Sequence, residues 1–207
     1  MKILETVNVT KTFGGLAAVS EVNFHIGENE IVGLIGPNGA GKTTIFNIIS
    51  GLYTPTKGEV RINGEISNKL KPYQIAYKGI SRTFQNIRLF GSATVLENVM
   101  MARYVKSKAG FWSSIFRPKW VAQEESSIRE KSMELLKFMG IEAYKDEAAK
   151  NLSYGNQRRL EIARALACEP KLLMLDEPTA GMNAEETTSV MEHIRIIRQR
   201  GISRKGS

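Results

Sequence analysis

The sequence contains a single cysteine and two histidines among 207 residues, and only 8% of its residues are aromatic. Because Cys168 has no partner cysteine, an internal disulfide is excluded. Apolar runs fall far short of the ~18 to 20 residues that cross a bilayer, so we expect no membrane span. An acidic residue, Glu5, precedes any apolar stretch, which argues against a secretory signal. These absences point to the cytosol.

Acidic residues are outnumbered by basic ones, 21 against 29, which gives a formal net charge of +8. Such a surface could attract nucleic acid or anionic lipid headgroups, and net charge does not choose between them. The basic residues near the end of the chain lack the interleaved aromatic side chains that stack nucleic-acid bases. We therefore expect a basic soluble surface and no nucleic-acid partner.

Two kinds of strand pattern are present. Apolar and polar residues alternate over 7–9 and 22–26, which predicts half-buried antiparallel strands. The runs Ile31–Ile35 and Lys171–Asp176 are almost continuously apolar, which is typical of strands covered on both faces. A short strand that ends in Asn63-Gly64, a turn signal, predicts a hairpin.

Helix signals dominate the middle third of the chain. Thr94 and Glu97 have the spacing of a capping box, and apolar residues recur at helical spacing over 133–139. A similar cap over Asn183–Glu186 predicts a helix near the end. The basic aromatic stretch Lys106–Trp120 is interpreted as an exposed connection, and its aromatic residues could equally pack against neighbouring helices or face a partner.

A glycine-rich segment fits the phosphate-binding loop pattern at every specified position, between a predicted buried strand and a helix N-terminus. Its glycines allow successive N–H groups to converge on phosphate oxygens, and its lysine would neutralise the β- and γ-phosphates. The hydroxyl of Thr43 would be a ligand of Mg²⁺. A glycine-rich turn without a ligand is the alternative. The candidate nucleotide-binding residues are Gly36, Asn38, Gly39, Gly41, Lys42, Thr43 and Thr44.

An acidic pair follows four apolar residues at the predicted C-terminal end of a strand, where ligands bind in open α/β sheets. Asp176 would hold Mg²⁺ through a water molecule, and Glu177 would orient or deprotonate the water that attacks the γ-phosphate. Alone, such a pair is often only solvated or a helix cap. The phosphate loop elsewhere in the chain favours the functional interpretation.

A third motif, Leu152-Ser-Tyr-Gly-Asn-Gln157, resembles the signature sequence of the ATP-binding-cassette (ABC) family, with Tyr154 where that family has glycine. The resemblance implies that Ser153, Gly155 and Gln157 act on the nucleotide of the opposite subunit in a head-to-tail dimer. The alternative is an ordinary helix start with Ser153 as its N-cap.

Further segments are similar to other elements of the same family. Arg82-Thr-Phe-Gln85 resembles its glutamine loop, which implies that Gln85 contacts the metal and the attacking water. Phe13 lies where the family stacks an aromatic ring on adenine, although it could be a simple loop aromatic. Residues 180–183 resemble the dimer-contact loop, with Asn183 where aspartate is usual, and a helix cap is an equally good interpretation there.

The resemblance covers nearly the whole chain and is closest to the subunits that energise branched-chain amino acid import. It implies an α/β fold: a phosphate-loop NTPase core, with a mixed sheet flanked by helices, that carries an antiparallel β subdomain and an inserted helical subdomain. Within one domain over 1–207, we expect the core and β subdomain over 1–88 and 165–207, and the helical subdomain over 89–164.

The implied function is the binding and hydrolysis of ATP with Mg²⁺ at the cytoplasmic face of the inner membrane. The implied partners are a second ATP-binding subunit, permease subunits and, indirectly, a substrate-binding protein. A lipid or lipopolysaccharide exporter and a non-transport ABC ATPase remain alternatives.

The family also has a histidine after one more core strand, and the sequence beyond Ile202 contains no apolar run. We therefore expect a truncated chain that lacks this strand and histidine, and impaired turnover is a further alternative. His25 and His193 lack the required sequence context, and both are expected to be surface residues rather than ligands.

Overall fold

A computed structural model of the chain describes residues 1–84, 87–104 and 119–199. Its strands are β1 Lys2–Phe13, β2 Leu16–Gly27, β3 Lys57–Ile62, β4 Glu65–Ile66, β5 Ile80–Arg82 and β6 Leu172–Met174. Its helices are α1 Lys42–Ile49, α2 Pro72–Tyr77, α3 Val95–Arg103, α4 Lys119–Phe138, α5 Tyr154–Ala167 and α6 Ala184–Gln199, with short 3₁₀ turns at Glu142–Tyr144 and Ala149–Asn151.

The described residues divide into two compact units. The first comprises residues 1–81, 171–174 and 196–199, and the second comprises 82–84, 87–104, 119–170 and 175–195. The glycine-rich loop belongs to the first unit, whereas the signature-like segment and the acidic pair belong to the second.

A four-stranded sheet with the order β2-β1-β3-β4 forms the framework of the first unit. Strand β1 pairs antiparallel with both β2 and β3, which confirms the strands predicted from the alternating pattern. At the turn between β3 and β4, Asn63 and Gly64 have φ values of 51° and 84°, as a tight two-residue hairpin turn requires. The predicted hairpin is therefore confirmed.

One face of α1 is buried in the core of the first unit. Ile45, Ile48 and Ile49 lie at i, i+3 and i+4, so they form a single apolar stripe. The stripe belongs to the same hydrophobic cluster as Leu4 and Ile62 of the sheet. Burial of this stripe fixes α1, and with it the loop that precedes the helix.

The predicted strand over Ile31–Ile35 is wrong. These residues are not in a strand, and Ile31 and Ile35 are 56% and 95% exposed. Within the described ranges no strand pairs with this segment, and an apolar run becomes a strand only where another backbone completes its hydrogen bonds. The second run forms β6, which pairs with β5, but it is shorter than the predicted Lys171–Asp176.

Helices α3, α4 and α5 pack together in the second unit, where Val99, Leu136 and Leu160 are fully buried. This arrangement confirms the helical pattern of the middle third. The predicted connection Lys106–Trp120 lies outside the described residues up to residue 118, and Trp120 is part of α4. Throughout the described ranges, the helices are too short or too polar to cross a bilayer.

The start of α3 shows how a local sequence signal becomes structure. The Thr94 hydroxyl accepts a hydrogen bond from the Glu97 amide at 3.1 Å, and the Glu97 carboxylate accepts one from the Thr94 amide at 2.7 Å. The next two amides of the helix donate to the backbone carbonyls of Glu147 and Lys145. All four amides at this end are therefore bonded, which confirms the predicted capping box.

We expect Thr94→Ala to lower the free energy of unfolding by about 1 kcal/mol, because the Glu97 amide loses its acceptor. Thr188→Ala is the matched control, since this exposed hydroxyl donates only to the carbonyl one turn earlier in α6, and it should change stability by less than about 0.5 kcal/mol. Urea unfolding measures both variants, and equal losses would contradict a specific role for the cap.

Candidate functional site

The glycine-rich loop is held against β2 by its own backbone. Gly39 and Gly41 have φ values of 84° and 83°, in the left-handed region that favours glycine. A Cβ on Gly41 would lie only 2.5 Å from the Ala18 carbonyl oxygen, whereas a Cβ on Gly39 would meet no heavy atom within 4 Å. Position 41 therefore requires glycine both for its conformation and for its approach to β2.

Helix α1 begins at Lys42 with no side-chain cap on its N-terminus. The first amides of a helix have no intrahelical acceptor, and the helix dipole makes this end positive. The Lys42 ammonium donates to the carbonyl oxygens of Gly36 and Pro37 at 2.5 and 2.8 Å, so it lies over the loop. Amides and ammonium together form an anion site that suits phosphate.

The remaining candidates lie in the loop and in the first turn of α1. Asn38 and Thr43 are exposed, and Thr44 is half-buried in the first turn of α1. An exposed hydroxyl next to an anion site is an oxygen ligand of the kind that Mg²⁺ prefers, so Thr43 fits the predicted role. The assignment of individual residues to nucleotide and metal stays a prediction.

Phe13 ends β1, and the residue is 45% exposed. Its ring makes an edge-to-face contact with Tyr53, with centroids 5.3 Å apart and planes at 74°. The Lys11 ammonium lies 5.2 Å from the Phe13 centroid and donates to the Thr54 carbonyl at 2.8 Å. The first unit thus has an exposed aromatic ring that is in contact with Tyr53 and Lys11. The stacking of this ring on adenine stays a prediction.

The two carboxylates of the acidic pair have different surroundings. Asp176 is largely buried and lies 3.1 Å from the guanidinium of Arg82. Its amide donates to the Thr83 hydroxyl at 3.3 Å. Glu177 is exposed, and its φ of 45° is uncommon for a residue with a side chain. The chain therefore holds Asp176 in place and presents Glu177 to solvent.

The signature-like segment starts α5. Ser153 is its N-cap, and the Ser153 hydroxyl accepts from the Asn156 amide at 3.4 Å, so the ordinary helix-start role is present. The Gln157 amide group donates to the Leu152 carbonyl at 3.1 Å. Gly155 is buried, and a Cβ there would lie 2.2 Å from a carboxylate oxygen of Glu186.

The loop over 180–183 packs on this segment. A Cβ on Gly181 would lie 3.1 Å from the ring of Tyr154, so the tyrosine that replaces the expected glycine covers this loop. Asn183 accepts from the Glu186 amide at 2.9 Å, and Glu186 accepts from the Asn183 amide at 3.2 Å. The helix-cap interpretation of Asn183 is confirmed, and a dimer contact stays a prediction.

Sequence reasoning missed three charged residues near the acidic pair: Arg82, Arg158 and Glu161. Arg158 donates to the carbonyl oxygens of Phe84 and Glu177, and Glu161 accepts from the Phe84 amide. The only sequence signal was an arginine and a glutamate one turn apart in an otherwise apolar helix stripe. That spacing predicts their pairing and nothing about partners that are 74 or more residues away.

Burial also affects a neighbouring arginine on the same helix. It lowers the pKa of the Arg164 guanidinium, and the charge of Glu161 partly opposes this shift. The Arg164 guanidinium packs over the Phe90 ring at 5.1 Å and donates to the Arg88 carbonyl. Arg164 is therefore another partly or fully buried arginine of the second unit, besides Arg82 and Arg158.

The other predicted residues have mixed outcomes. Gln85 lies outside the described residues. His25 is exposed on β2, as predicted, but His193 is half-buried rather than a surface residue. Its ring nitrogens lie 2.7 and 2.9 Å from the carbonyl oxygens of Ser189 and Phe138, because α6 packs on the end of α4. Cys168 is half-buried.

A glycine loop closed on an uncapped helix, with its lysine over the loop, defines a phosphate-loop nucleotide-binding protein. The family model described as ABC transporter matches residues 19–180. The chain is 42% identical over 196 residues to the high-affinity branched-chain amino acid transport ATP-binding protein BraF of Pseudomonas aeruginosa. This match covers 95% of the chain and 77% of BraF. The chain therefore belongs to the ABC transporter family, and it is an ABC ATPase.

Solved structures agree with this family. The ADP conformation of MJ1267, an ATP-binding cassette of an ABC transporter, has a TM-score of 0.82 at 32% identity, covering 97% of this chain and 78% of that one. The dimeric structure of MJ0796, a bacterial ABC transporter cassette, has a TM-score of 0.80 at 30% identity, covering 95% and 83%. The predicted fold class and the family resemblance are confirmed.

We expect Gly41→Ala to destabilise the protein more than Gly39→Ala does. Both alanines would have a positive φ, which costs about 1 to 2 kcal/mol, but only the alanine at position 41 would collide with the Ala18 carbonyl. Urea unfolding midpoints measure the difference. If the two variants are equally stable, the loop is not braced against β2 as described.

Proposed function

We propose that this chain is the ATP-binding subunit of an importer for branched-chain amino acids, and that it hydrolyses ATP with Mg²⁺ to drive transport. The observation that carries the nucleotide part is the anion site at the start of α1, where uncapped amides and the Lys42 ammonium converge. The transport part is supported by the 42% identity to BraF.

Phosphate binding follows from the chemistry of the loop. Backbone amides donate to phosphate oxygens without needing deprotonation or rearrangement, and the positive helix end adds a favourable field. Lys42 exchanges two neutral carbonyl acceptors for an anionic one, which makes a stronger hydrogen bond. Phe13 stacks on the adenine, since stacking requires only an exposed π face. Gly36, Asn38, Gly39, Gly41 and Thr44 complete the nucleotide contacts.

Thr43, Asp176 and Gln85 would hold Mg²⁺, which neutralises charge on the β- and γ-phosphates when bound. The residues of the chain fit this role because Thr43 is an exposed hydroxyl and Asp176 a carboxylate. Asp176 would exchange part of its interaction with Arg82 for the cation, with the geometry of its backbone held by Thr83.

Glu177 acts as the general base. Its carboxylate takes a proton from water while the water oxygen forms a bond to the γ-phosphorus and the bond to the bridging oxygen breaks, which leaves ADP and phosphate. Gln85 orients this water. Exposure of the Glu177 side chain allows it to reach a solvent molecule, and its strained backbone is a feature that clusters at functional sites.

A second ATP-binding subunit completes the site. Ser153, Gly155 and Gln157 at the start of α5 serve the nucleotide of the opposite subunit, as a helix N-terminus suits a phosphate group. The dimeric state of the related MJ0796 cassette supports this arrangement. Permease subunits hold the dimer at the cytoplasmic face of the inner membrane, and a substrate-binding protein delivers the amino acid to them.

The nucleotide part predicts different losses for two variants. Lys42→Ala should weaken ATP binding about 10- to 100-fold, because a charge-assisted hydrogen bond is worth about 1.5 to 3 kcal/mol. Glu177→Gln should keep ATP affinity and lower turnover by about 100-fold or more, because a carboxamide cannot accept the proton. Isothermal titration calorimetry and phosphate release measure the two properties.

Lys69→Ala and Glu185→Gln are the matched controls, since both residues are exposed and lie outside the site. Each control should bind and hydrolyse ATP like the unaltered chain. The nucleotide proposal fails if Lys42→Ala binds ATP normally, and the general-base role fails if Glu177→Gln turns over at the unaltered rate.

The transport part predicts substrate-selective uptake. Proteoliposomes that contain the chain with its permease subunits, binding protein and internal ATP should accumulate labelled leucine and leave lysine outside. Lys42→Ala should abolish the accumulation because the motor no longer binds ATP. Leucine uptake that persists in this variant, or a preference for lysine, would contradict the proposed substrate.

A further inference from the structure

A buried ion pair lies inside helix α5, directly after the signature-like segment. The side chain of Arg158 is 0% exposed and that of Glu161 is 5% exposed, and their charged atoms are 2.6 Å apart. Neither residue belongs to the set assigned to nucleotide or metal. The pair therefore needs an explanation of its own.

Both members of the pair bind the backbone of the same residue. The Phe84 amide donates to Glu161 at 3.0 Å, and the Phe84 carbonyl accepts from the Arg158 Nη1 atom at 2.7 Å. Phe84 directly precedes Gln85 in the chain. The ion pair thus satisfies both the amide and the carbonyl group of Phe84, the residue before the predicted water-orienting glutamine.

The other terminal nitrogen of Arg158 reaches the acidic pair. Its Nη2 atom donates to the Glu177 carbonyl oxygen at 3.3 Å. Glu177 has a φ of 45°, a conformation that costs a residue with a side chain about 1 kcal/mol or more unless its surroundings hold it. A guanidinium on its carbonyl is such a restraint.

Neighbouring bonds join the same segments. Arg82 pairs with the Asp176 carboxylate, and the Thr83 hydroxyl accepts from the Asp176 amide. Three consecutive residues, 82 to 84, are therefore bonded to 176–177 either directly or through Arg158. Helix α5 supplies the link through Arg158, whereas Arg82 and Thr83 bond Asp176 directly.

Stability does not explain the pair. Removing two charges from water costs several kcal/mol, and well-packed apolar residues often replace a buried ion pair without loss of stability. What apolar residues cannot replace is the set of bonds to the backbone of Phe84 and Glu177. The pair therefore supplies defined geometry at the acidic pair.

We propose that Arg158 and Glu161 are positioning residues for hydrolysis, which fix the backbone of Phe84 and Glu177 relative to helix α5. Through them the helix that begins at the signature-like segment sets the direction of the Glu177 carboxylate. The inference rests on the proposed function, because it assigns a purpose to the placement of the general base.

Arginine is required at position 158 because one side chain must reach two carbonyl oxygens at once. A guanidinium has separate terminal nitrogens in a fixed plane, whereas a lysine ammonium is a single point donor. Arg158→Lys keeps the charge that Glu161 needs but cannot bond both Phe84 and Glu177. If Arg158 acts only through its charge, Arg158→Lys should keep the activity. If Arg158 acts by bonding both carbonyl oxygens, this variant should lose activity.

We expect Arg158→Lys to lower kcat for ATP hydrolysis about 10-fold, as loss of a supporting residue around a reactive group typically does, with ATP affinity within about 2-fold of the unaltered chain. Neither member of the pair belongs to the phosphate loop, so binding should be kept. Glu161→Gln keeps one oxygen acceptor and places an N–H donor where the second carboxylate oxygen accepts from Phe84 or Arg158, so it should also lower kcat about 10-fold.

Arg159→Lys is the matched control. Arg159 is the next residue of α5, and its guanidinium bonds the side chains of Ser189 and Asn156 rather than Phe84 or Glu177. We expect its kcat to be unchanged. Melting temperatures of all variants identify any general loss of packing.

Hydrogen exchange gives a readout independent of turnover. Peptides that cover 80–84 and 173–178 should exchange faster in Arg158→Lys than in the unaltered chain, and not in Arg159→Lys, because the bridge is lost only in the first variant. This measurement tests the positioning role even if the chain itself does not hydrolyse ATP. Absence of ATP hydrolysis would overturn the proposed function and not the positioning role.

The proposal is overturned if Arg158→Lys has unaltered exchange in both peptides, or if it hydrolyses ATP at the unaltered rate while exchange rises. It is also overturned if kcat, ATP affinity and melting temperature fall together, since that pattern describes a structural residue. A selective loss of kcat with faster local exchange supports it.

Discussion

The start of α1 is the constraint on which the rest of the site depends. Its amides can bind an anion because no side chain caps them, and because Gly41 brings the loop close to the backbone of β2. The apolar stripe of α1 buries the helix against the sheet, so the loop inherits the rigidity of the core. Rigid donors lose little entropy on binding, which is what makes such a loop an effective phosphate site.

The second unit solves a different problem. The two members of its acidic pair are held in different ways. Asp176 is held by Arg82 and Thr83, and the Glu177 backbone is held by Arg158 while its carboxylate stays exposed. Buried arginines thus hold both members of the pair, at a desolvation cost offset by their several hydrogen bonds.

Comparison of prediction and structure separates local signals from long-range ones. The turn at Asn63-Gly64, the cap at Thr94 and the cap at Asn183 were predicted correctly because each is satisfied within a few residues. The strand over Ile31–Ile35 was predicted wrongly because hydrophobicity measures only the preference for burial. His193 was misjudged for a similar reason, since its two carbonyl partners come from separate helices.

The sequence by itself determined the phosphate loop, the helix caps and the family, because these follow from residue type and short spacing. Only the tertiary structure decided that Arg82 pairs with Asp176 and that Arg158 bridges Phe84 and Glu177. These partners are separated by 94, 74 and 19 residues. No sequence periodicity predicts pairing across such separations along the chain. These pairs form only when the helix and strand ends pack together, because buried polar groups then need hydrogen-bond partners.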